Sequence, residues 1–188
     1  MKKSTKGLAI FLGCVVGTLL IIAIGITSVY VWLVEEPKIT SEEFASHDWL
    51  ERSSDSYLVP ESNGDFKYYK SKDDLDDYYY TGTYEFYCGE DAVNYVVDEL
   101  SDYKYGLTRY DIDDYIDVHS SEGYRKNRFV CLVLKNKQCI IEGENTFTDT
   151  VITPYYGFYL EDPYKEGLEL TNMREGSSYY FLIQEKED

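Results

Sequence analysis

Histidine is almost missing from this sequence: His47 and His119 are the only two, and neither stands in the paired-histidine spacing of a zinc protease or in a nucleophile elbow. Histidine-dependent hydrolysis is thereby disfavoured, and both residues read as surface or packing groups. Cysteine is scarce too: Cys14, Cys88, Cys131 and Cys139, with no Cys-x-x-Cys pair. Three of them lie beyond the N-terminal apolar run, an odd number that argues against a disulfide framework. Each of the three stands among Phe, Tyr, Val or Ile and reads as a small buried apolar side chain. A Cys131–Cys139 bridge stays open, because a turn at Lys135-Asn136-Lys137 is expected to fold their segments together. Positive charge is the third shortage, with 18 Lys and Arg against 35 Asp and Glu and a formal net charge of −17. A field of that sign repels phosphate backbones and anionic lipid heads and attracts cations and basic partners, which sets nucleic acid aside. There is no internal repeat and no low-complexity linker.

What is present begins with the apolar run. Gly7 to Val34, GLAIFLGCVVGTLLIIAIGITSVYVWLV, carries no charge and exceeds the ~20 residues a helix needs to cross the hydrocarbon core. Lys2, Lys3 and Lys6 precede it, every acidic residue follows from Glu35 on, and Tyr30 and Trp32 sit at interfacial depth. The positive-inside rule then makes residues 1–6 cytoplasmic, 7–34 a transmembrane helix, 35–40 a linker and 41–188 the extracytoplasmic domain of a single-pass membrane protein. A cleaved signal fits less well, since Ala23-Ile24-Gly25 is followed by further uncharged residues, and Cys14 comes too early for a lipoprotein signal. Within the run Ala9, Gly13 and Gly17 recur every fourth position, a small-residue stripe through which two copies of the helix would associate.

Beyond the run, Thr40-Ser41-Glu42-Glu43 has capping-box spacing, so a short helix is expected from there to about Arg52, with Phe44, Trp49 and Leu50 on its apolar face. FKYYK and YYYTGTYEFYC then read as strands. In the second, Tyr80, Gly82, Tyr84, Phe86 and Cys88 alternate with Tyr79, Thr81, Thr83, Glu85 and Tyr87, which gives one apolar face and one mixed face, with a bulge at Gly82. Gly89-Glu90-Asp91 opens a helix in which Ala92, Val93, Val96, Val97, Leu100 and Tyr103 recur at helical spacing, and Gly106 is expected to close it. Phe129 to Leu134 are apolar at both parities, the mark of a strand covered on two faces. QCII, TVITP, YYGFYL and SSYYFLIQ follow as shorter strands, the last alternating Tyr179, Phe181 and Ile183 against Tyr180 and Leu182. The expected fold class is α+β: an N-terminal transmembrane helix followed by one mostly antiparallel sheet of roughly five to seven strands, with one or two helices packed on one face.

The stretches PKITSEEFASHDWLE and TYEFYCGEDAVNYVVDEL together resemble a layout found in small exported proteins of low-GC Gram-positive bacteria, either lipoproteins or single-pass membrane proteins. In that layout a capped helix follows the anchor, and a strand, an acidic-capped amphipathic helix and a hairpin come after it. The resemblance implies a location and a fold class, brings no activity with it, and does not extend to the part of the chain from Thr146 onward.

Two acidic runs offer metal readings. In YDIDDYIDVHSSEG, Asp111, Asp113, Asp117 and Glu122 take the first, third, seventh and twelfth places of an EF-hand count, but Tyr115 and Ile116 stand where a donor and the turn glycine belong. In KDDLDDYYYTGTYEFYC, Asp73, Asp74, Asp76 and Asp77 share one turn with Ser71 as its cap, and carboxylates that diverge from one turn make a poor cage. No metal and no cofactor is expected. Tyrosine is the anomaly, with 21 copies against eight phenylalanines. A phenol supplies large area and tolerates a wet edge, which suits a thin core or a contact surface equally well. The neighbours in Tyr68-Tyr69, Tyr78-Tyr79-Tyr80, Tyr155-Tyr156 and Tyr179-Tyr180 must point to opposite faces of a strand. Tyr79, Glu85 and Tyr87, on the mixed face of their strand, are the candidate binding residues.

The functional expectation is a membrane-anchored, extracytoplasmic, non-catalytic binding or interaction module of the bacterial cell envelope, holding a basic protein or a wall component. Two alternatives stand beside it: a cell-wall hydrolase working through two convergent carboxylates, and an accessory subunit that pairs with itself through Ala9, Gly13 and Gly17.

Overall fold

The computed structural model describes residues 37–161 and 166–186. The apolar run, with Ala9, Gly13 and Gly17, lies outside the described residues; among those described, no helix is long and apolar enough to cross a membrane. The chain divides after Glu36, and the unit that starts at Pro37 holds every element named below.

Among the described residues this unit has three α-helices, two single-turn 3-10 helices (Ser120–Glu122 and Lys126–Arg128) and nine strands: α1 (Ser41–Ser46), β1 (Asp48–Glu51), β2 (Tyr57–Pro60), β3 (Asp65–Ser71), β4 (Asp74–Cys88), α2 (Glu90–Glu99), which ends before the expected Gly106, α3 (Arg109–Val118), β5 (Phe129–Ile141), β6 (Glu144–Asn145), β7 (Val151–Leu160), β8 (Gly167–Asn172) and β9 (Ser178–Gln184). The capping box is formed: the Glu43 amide donates to the Thr40 hydroxyl at 3.1 Å, and the Thr40 amide donates to the Glu43 carboxylate at 2.8 Å. The helix it starts is shorter than expected. It ends at Ser46, and Trp49 with its neighbours extends into β1, where it pairs with Leu58 on one side and Ile183 on the other.

All strand pairings are antiparallel, in the order β4-β3-β2-β1-β9-β8-β7-β5, and β5 pairs back onto β4. Eight strands therefore close into a barrel, with β6 as a short addition to β5. This overturns the expected open α+β sheet: the apolar strand faces cover one another across a lumen, and α2 and α3 cover only part of the outside. Closure follows from β4, whose 15 residues pair with β3 along the first part and with β5 along the second. A strand of that length must coil to serve both neighbours. The bend is at Gly82, where Thr81 pairs with Gln138 but Gly82 pairs with Asn136, leaving Lys137 over as a bulge.

That bulge replaces the turn expected at Lys135-Asn136-Lys137. β5 runs on to Ile141, and the chain reverses at Glu142 and Gly143, whose φ of 50° and 83° form the left-handed pair that a tight hairpin requires. Cys131 and Cys139 thus lie about 26 Å apart along one strand and cannot be bridged. The three cysteines among the described residues are free thiols. TVITP and YYGFYL likewise form one strand, β7, despite Pro154. The Pro154 carbonyl accepts from the Met173 amide beyond the end of β8, so the missing N–H on that side breaks no ladder bond.

Two cores result. The lumen holds Phe44, Trp49, Leu58, Phe66, Phe86, Val130, Leu132, Leu134, Leu168, Leu170 and Phe181, with Tyr68, Tyr80, Tyr155 and Tyr179 packed against them. Outside, Ala92, Val93 and Val96 of α2 and Ile112 of α3 lie over Phe129, Cys131, Val133 and Phe158. The segment from Phe129 to Leu134 is buried on both faces, as its sequence suggests. The acidic run YDIDDYIDV forms α3, capped by a second box between Thr108 and Asp111, so its carboxylates lie along a helix and not around a loop.

Candidate functional site

The two ends of the barrel differ. At one end α1 folds across the lumen, and Phe44 is fully buried there, with its ring 4.3 Å from Phe86, 5.4 Å from Trp49 and 5.3 Å from Tyr84. The chain also enters at this end, where the Lys38 amide donates to the Asn127 carbonyl. The opposite end is open. It contains a cavity of about 600 Å³ whose walls include Tyr68, Tyr80, Leu134, Tyr155, Tyr179 and Phe181. That volume is in the range of small-molecule pockets, and the mouth of a β-barrel is a common place for one.

Strand alternation builds these walls. Tyr68 on β3, Tyr80 on β4, Tyr155 on β7 and Tyr179 on β9 each point inward, while the tyrosine next to each in sequence turns outward. The rings form a connected lining: Tyr68 and Tyr80 lie 6.2 Å apart, Tyr80 and Phe147 5.9 Å, and Tyr155 and Tyr179 6.3 Å. Tyr80 shares a 2.7 Å hydroxyl–hydroxyl bond with Tyr78 at the rim. Burial pushes the phenols of Tyr68, Tyr80 and Tyr155 above their ordinary pKa, so all three are neutral hydrogen-bonding groups at physiological pH. Asn136 is fixed in the wall by donating to the Val151 carbonyl at 2.9 Å and to the Thr153 hydroxyl at 3.1 Å. Lys70, Arg174 and Glu175 stand at the rim. Lys70 lies 5.7 Å from the centroid of the Tyr78 ring, and Arg174 donates to the Ile152 carbonyl at 3.3 Å.

Ser54 and Ser56 also line the mouth, and close to them in the chain Glu51 is buried at the end of β1. Its carboxylate accepts from the Ser53 and Ser54 amides at 3.1 and 2.6 Å and from the Ser53 hydroxyl at 2.9 Å. Burial disfavours the charge, but these donors together outweigh it and hold the pKa below its ordinary 4.5. The fold therefore favours the ionised form. The stabilisation is complete above the ordinary glutamate value and is lost as the pH falls through the lower, folded one. Urea unfolding followed as a function of pH is expected to show a smaller loss of stability on acidification in Glu51→Gln than in the wild type.

The residues singled out in the sequence fall on the outside. Tyr79 packs on Tyr69 at 5.6 Å, facing away from the lumen. Glu85 and Tyr87 lie farther along β4, about 20 Å from Tyr79 to Glu85 at the usual strand rise, so the three do not form one site. Glu85 and Tyr87 do come together: the Glu85 carboxylate is paired with Lys135 and lies 3.4 Å from the Tyr87 hydroxyl and 3.3 Å from that of Tyr95, and the Tyr87 and Tyr95 rings stack at 4.1 Å. The Lys135 bond, opposed by burial, holds the Glu85 carboxyl below its usual range. This cluster ties α2 to β4 and β5, and its carboxylate is already satisfied within the protein. The residues that line the mouth went unassigned in the sequence, although the paired tyrosines carried the signal, because one of each pair had to face inward. Among the described residues no group of His, Cys, Asp and Glu is placed to hold a metal ion. The chain matches no protein-family model, no curated protein and no solved structure.

Proposed function

We propose that this protein is a membrane-anchored, extracytoplasmic, non-catalytic binding module of the cell envelope, and that its ligand is a small molecule taken into the mouth of the barrel. The observation that carries the reading is the 600 Å³ cavity at the unplugged end, with four inward tyrosines in its walls. Ring faces offer stacking area for a flat or sugar-like body, and neutral phenols offer directional hydrogen bonds. The uncharged run from Gly7 to Val34, preceded by three lysines, supports the anchor and its orientation. The lining brings one carboxylate, Glu175, to the cavity and neither histidine nor cysteine, a set suited to holding a ligand more than to acid–base work.

The test is saturation-transfer NMR of the full-length protein against a library of small polar aromatics and monosaccharides, repeated with Thr153→Trp, which fills the mouth from β7, and with Tyr155→Leu. Ligands of the wild type are expected to weaken by about tenfold or more in both variants, corresponding to about 1.4 kcal/mol. A set of ligands unchanged by Thr153→Trp would sink the reading.

A further inference from the structure

A second cavity lies outside the barrel, where α3 and the segment leading into it cross the outer faces of β7 and β8. Its volume is about 330 Å³. The aromatic residues in its walls are Tyr105, Tyr115, Phe129, Tyr156 and Phe158, and the charged ones are Asp111 and Glu169; no lysine, arginine or histidine lines it. The ring quadrupole and the carboxylate both favour positive charge, and no side chain of the lining supplies it. We propose that this cleft binds a small organic cation of the alkylammonium class, seated against Tyr115, Tyr156 and Phe158 and facing the Glu169 carboxylate.

The geometry supports the assignment in three ways. First, the rings are held: Tyr115 and Phe158 stack at 5.7 Å, Phe158 meets Phe129 edge-on at 5.2 Å, and Phe129 stacks with Tyr156 at 6.4 Å, so the wall exists before a ligand arrives. Second, Glu169 keeps one oxygen for a ligand. Its Oε2 accepts from the Tyr124 hydroxyl at 2.5 Å, while Oε1 has no hydrogen-bond donor among the described residues. Burial, and then the Glu169 carboxylate itself, push the Tyr124 phenol up, so Tyr124 stays a donor that orients Glu169 without neutralising it. Third, the basic side chains near the cleft stay out of its wall: Lys104 lies 4.8 Å from the centroid of the Tyr105 ring and the His119 ring 4.4 Å from that of Tyr115, and neither lines the cavity. Asp111 contributes charge more than contact, because its Oδ2 is taken by the α3 cap, where the Thr108 amide donates at 2.8 Å. An ammonium bearing methyl or methylene groups satisfies both features of the lining, whereas an inorganic cation would leave the aromatic wall unused and a neutral ligand would leave the carboxylate unpaired. The cleft shares no lining residue with the mouth of the barrel, so either can be blocked by a substitution that leaves the lining of the other intact.

The test is a titration of the full-length protein with choline chloride at constant ionic strength, followed by saturation-transfer NMR. The neutral isostere 3,3-dimethylbutan-1-ol and sodium chloride serve as controls. Choline is expected to bind saturably and to be unaffected by Thr153→Trp in the barrel mouth. It is expected to weaken about tenfold in Glu169→Gln, which keeps an acceptor for Tyr124, and by a comparable factor in Tyr115→Leu, which keeps bulk but removes the ring face. The isostere is expected to show no saturable binding. Equal binding of the isostere, no saturation by choline, or choline binding unchanged in whichever of Glu169→Gln and Tyr115→Leu retains the wild-type unfolding transition would each overturn the proposal.

Discussion

Replacing Phe44 with alanine is expected to cost about 3–5 kcal/mol of stability, the range for deleting a large aromatic side chain from a packed core. Phe44 is fully buried and lies against Phe86, Trp49 and Tyr84, so it touches β1 and β4 at once from a helix of six residues. A helix that short has no stability of its own. What holds it is the capping box at one end and the Phe44 ring at the other, together with the Trp49 indole N–H, which donates to the Phe44 carbonyl at 3.0 Å. The space left by the ring cannot collapse easily, because the surrounding strands are fixed by closure of the barrel. Urea denaturation measures the loss. Hydrogen exchange at the Trp49 indole should accelerate in parallel, since its acceptor sits on the released helix. Leu75→Ala serves as the control: that residue is exposed, and a change within about 0.5 kcal/mol is expected. A loss below about 1 kcal/mol for Phe44→Ala would show that α1 does not plug the barrel.

Much of this fold is legible in the sequence, and what is not has a common cause. The alternation Tyr80, Gly82, Tyr84, Phe86, Cys88 correctly gives the buried face of β4, and Tyr179, Phe181 and Ile183 do the same for β9. Period-2 alternation says which face is buried but not what buries it. A sheet under a helical layer and a sheet closed on itself carry the same pattern, and only the long-range pairing of β4 with β5 and of β1 with β9 separates them. The turn expected at Lys135-Asn136-Lys137 fails for a related reason: polar residues in mid-strand mark a bulge as readily as a reversal, and Asn136 is buried inside the wall. α3 was hidden by its acids. The EF-hand count over Asp111, Asp113 and Asp117 draws attention away from the helical placing of Ile112, Tyr115 and Ile116, which pack toward the outer core.

The candidate site followed the same rule. Tyr79, Glu85 and Tyr87 stand on an exposed mixed face, where a flat sheet would meet a partner. In a barrel the inward face is also open to solvent, wherever the strands run past the filled part of the lumen. The tyrosine pairs should therefore be read inward: a residue such as Tyr155, apolar enough for a core and polar enough for a wet cavity, occupies the boundary between the two. The excess of tyrosine over phenylalanine is what such a boundary requires, and both cavities draw on it.

The second large effect is expected at the glycines that let the barrel close. Gly157 lies on β7, and a Cβ added there would stand 1.7 Å from the Glu169 carbonyl oxygen; at Gly82 the distance to the Lys135 carbonyl oxygen is 2.0 Å. In both cases the obstacle is backbone of the neighbouring strand, which no rotamer change can move. Gly157→Ala must therefore push β8 away from β7 and break the ladder around its pairing with Leu170, for an expected cost of about 3 kcal/mol or more. Gly82→Ala should behave alike on the β4–β5 side. Gly64 separates this crowding from mere conformational preference, since its φ is 88° but nothing lies within 4 Å of an added Cβ. Alanine there should cost only about 1–2 kcal/mol, from the left-handed backbone alone. Urea midpoints for the three variants should rank Gly64→Ala clearly above the other two. Gly157→Ala should also disturb the outer cleft before it unfolds the domain, because the strand it displaces carries Glu169. A Gly157→Ala protein as stable as Gly64→Ala would mean that β7 and β8 are not drawn together as tightly as closure of the barrel demands.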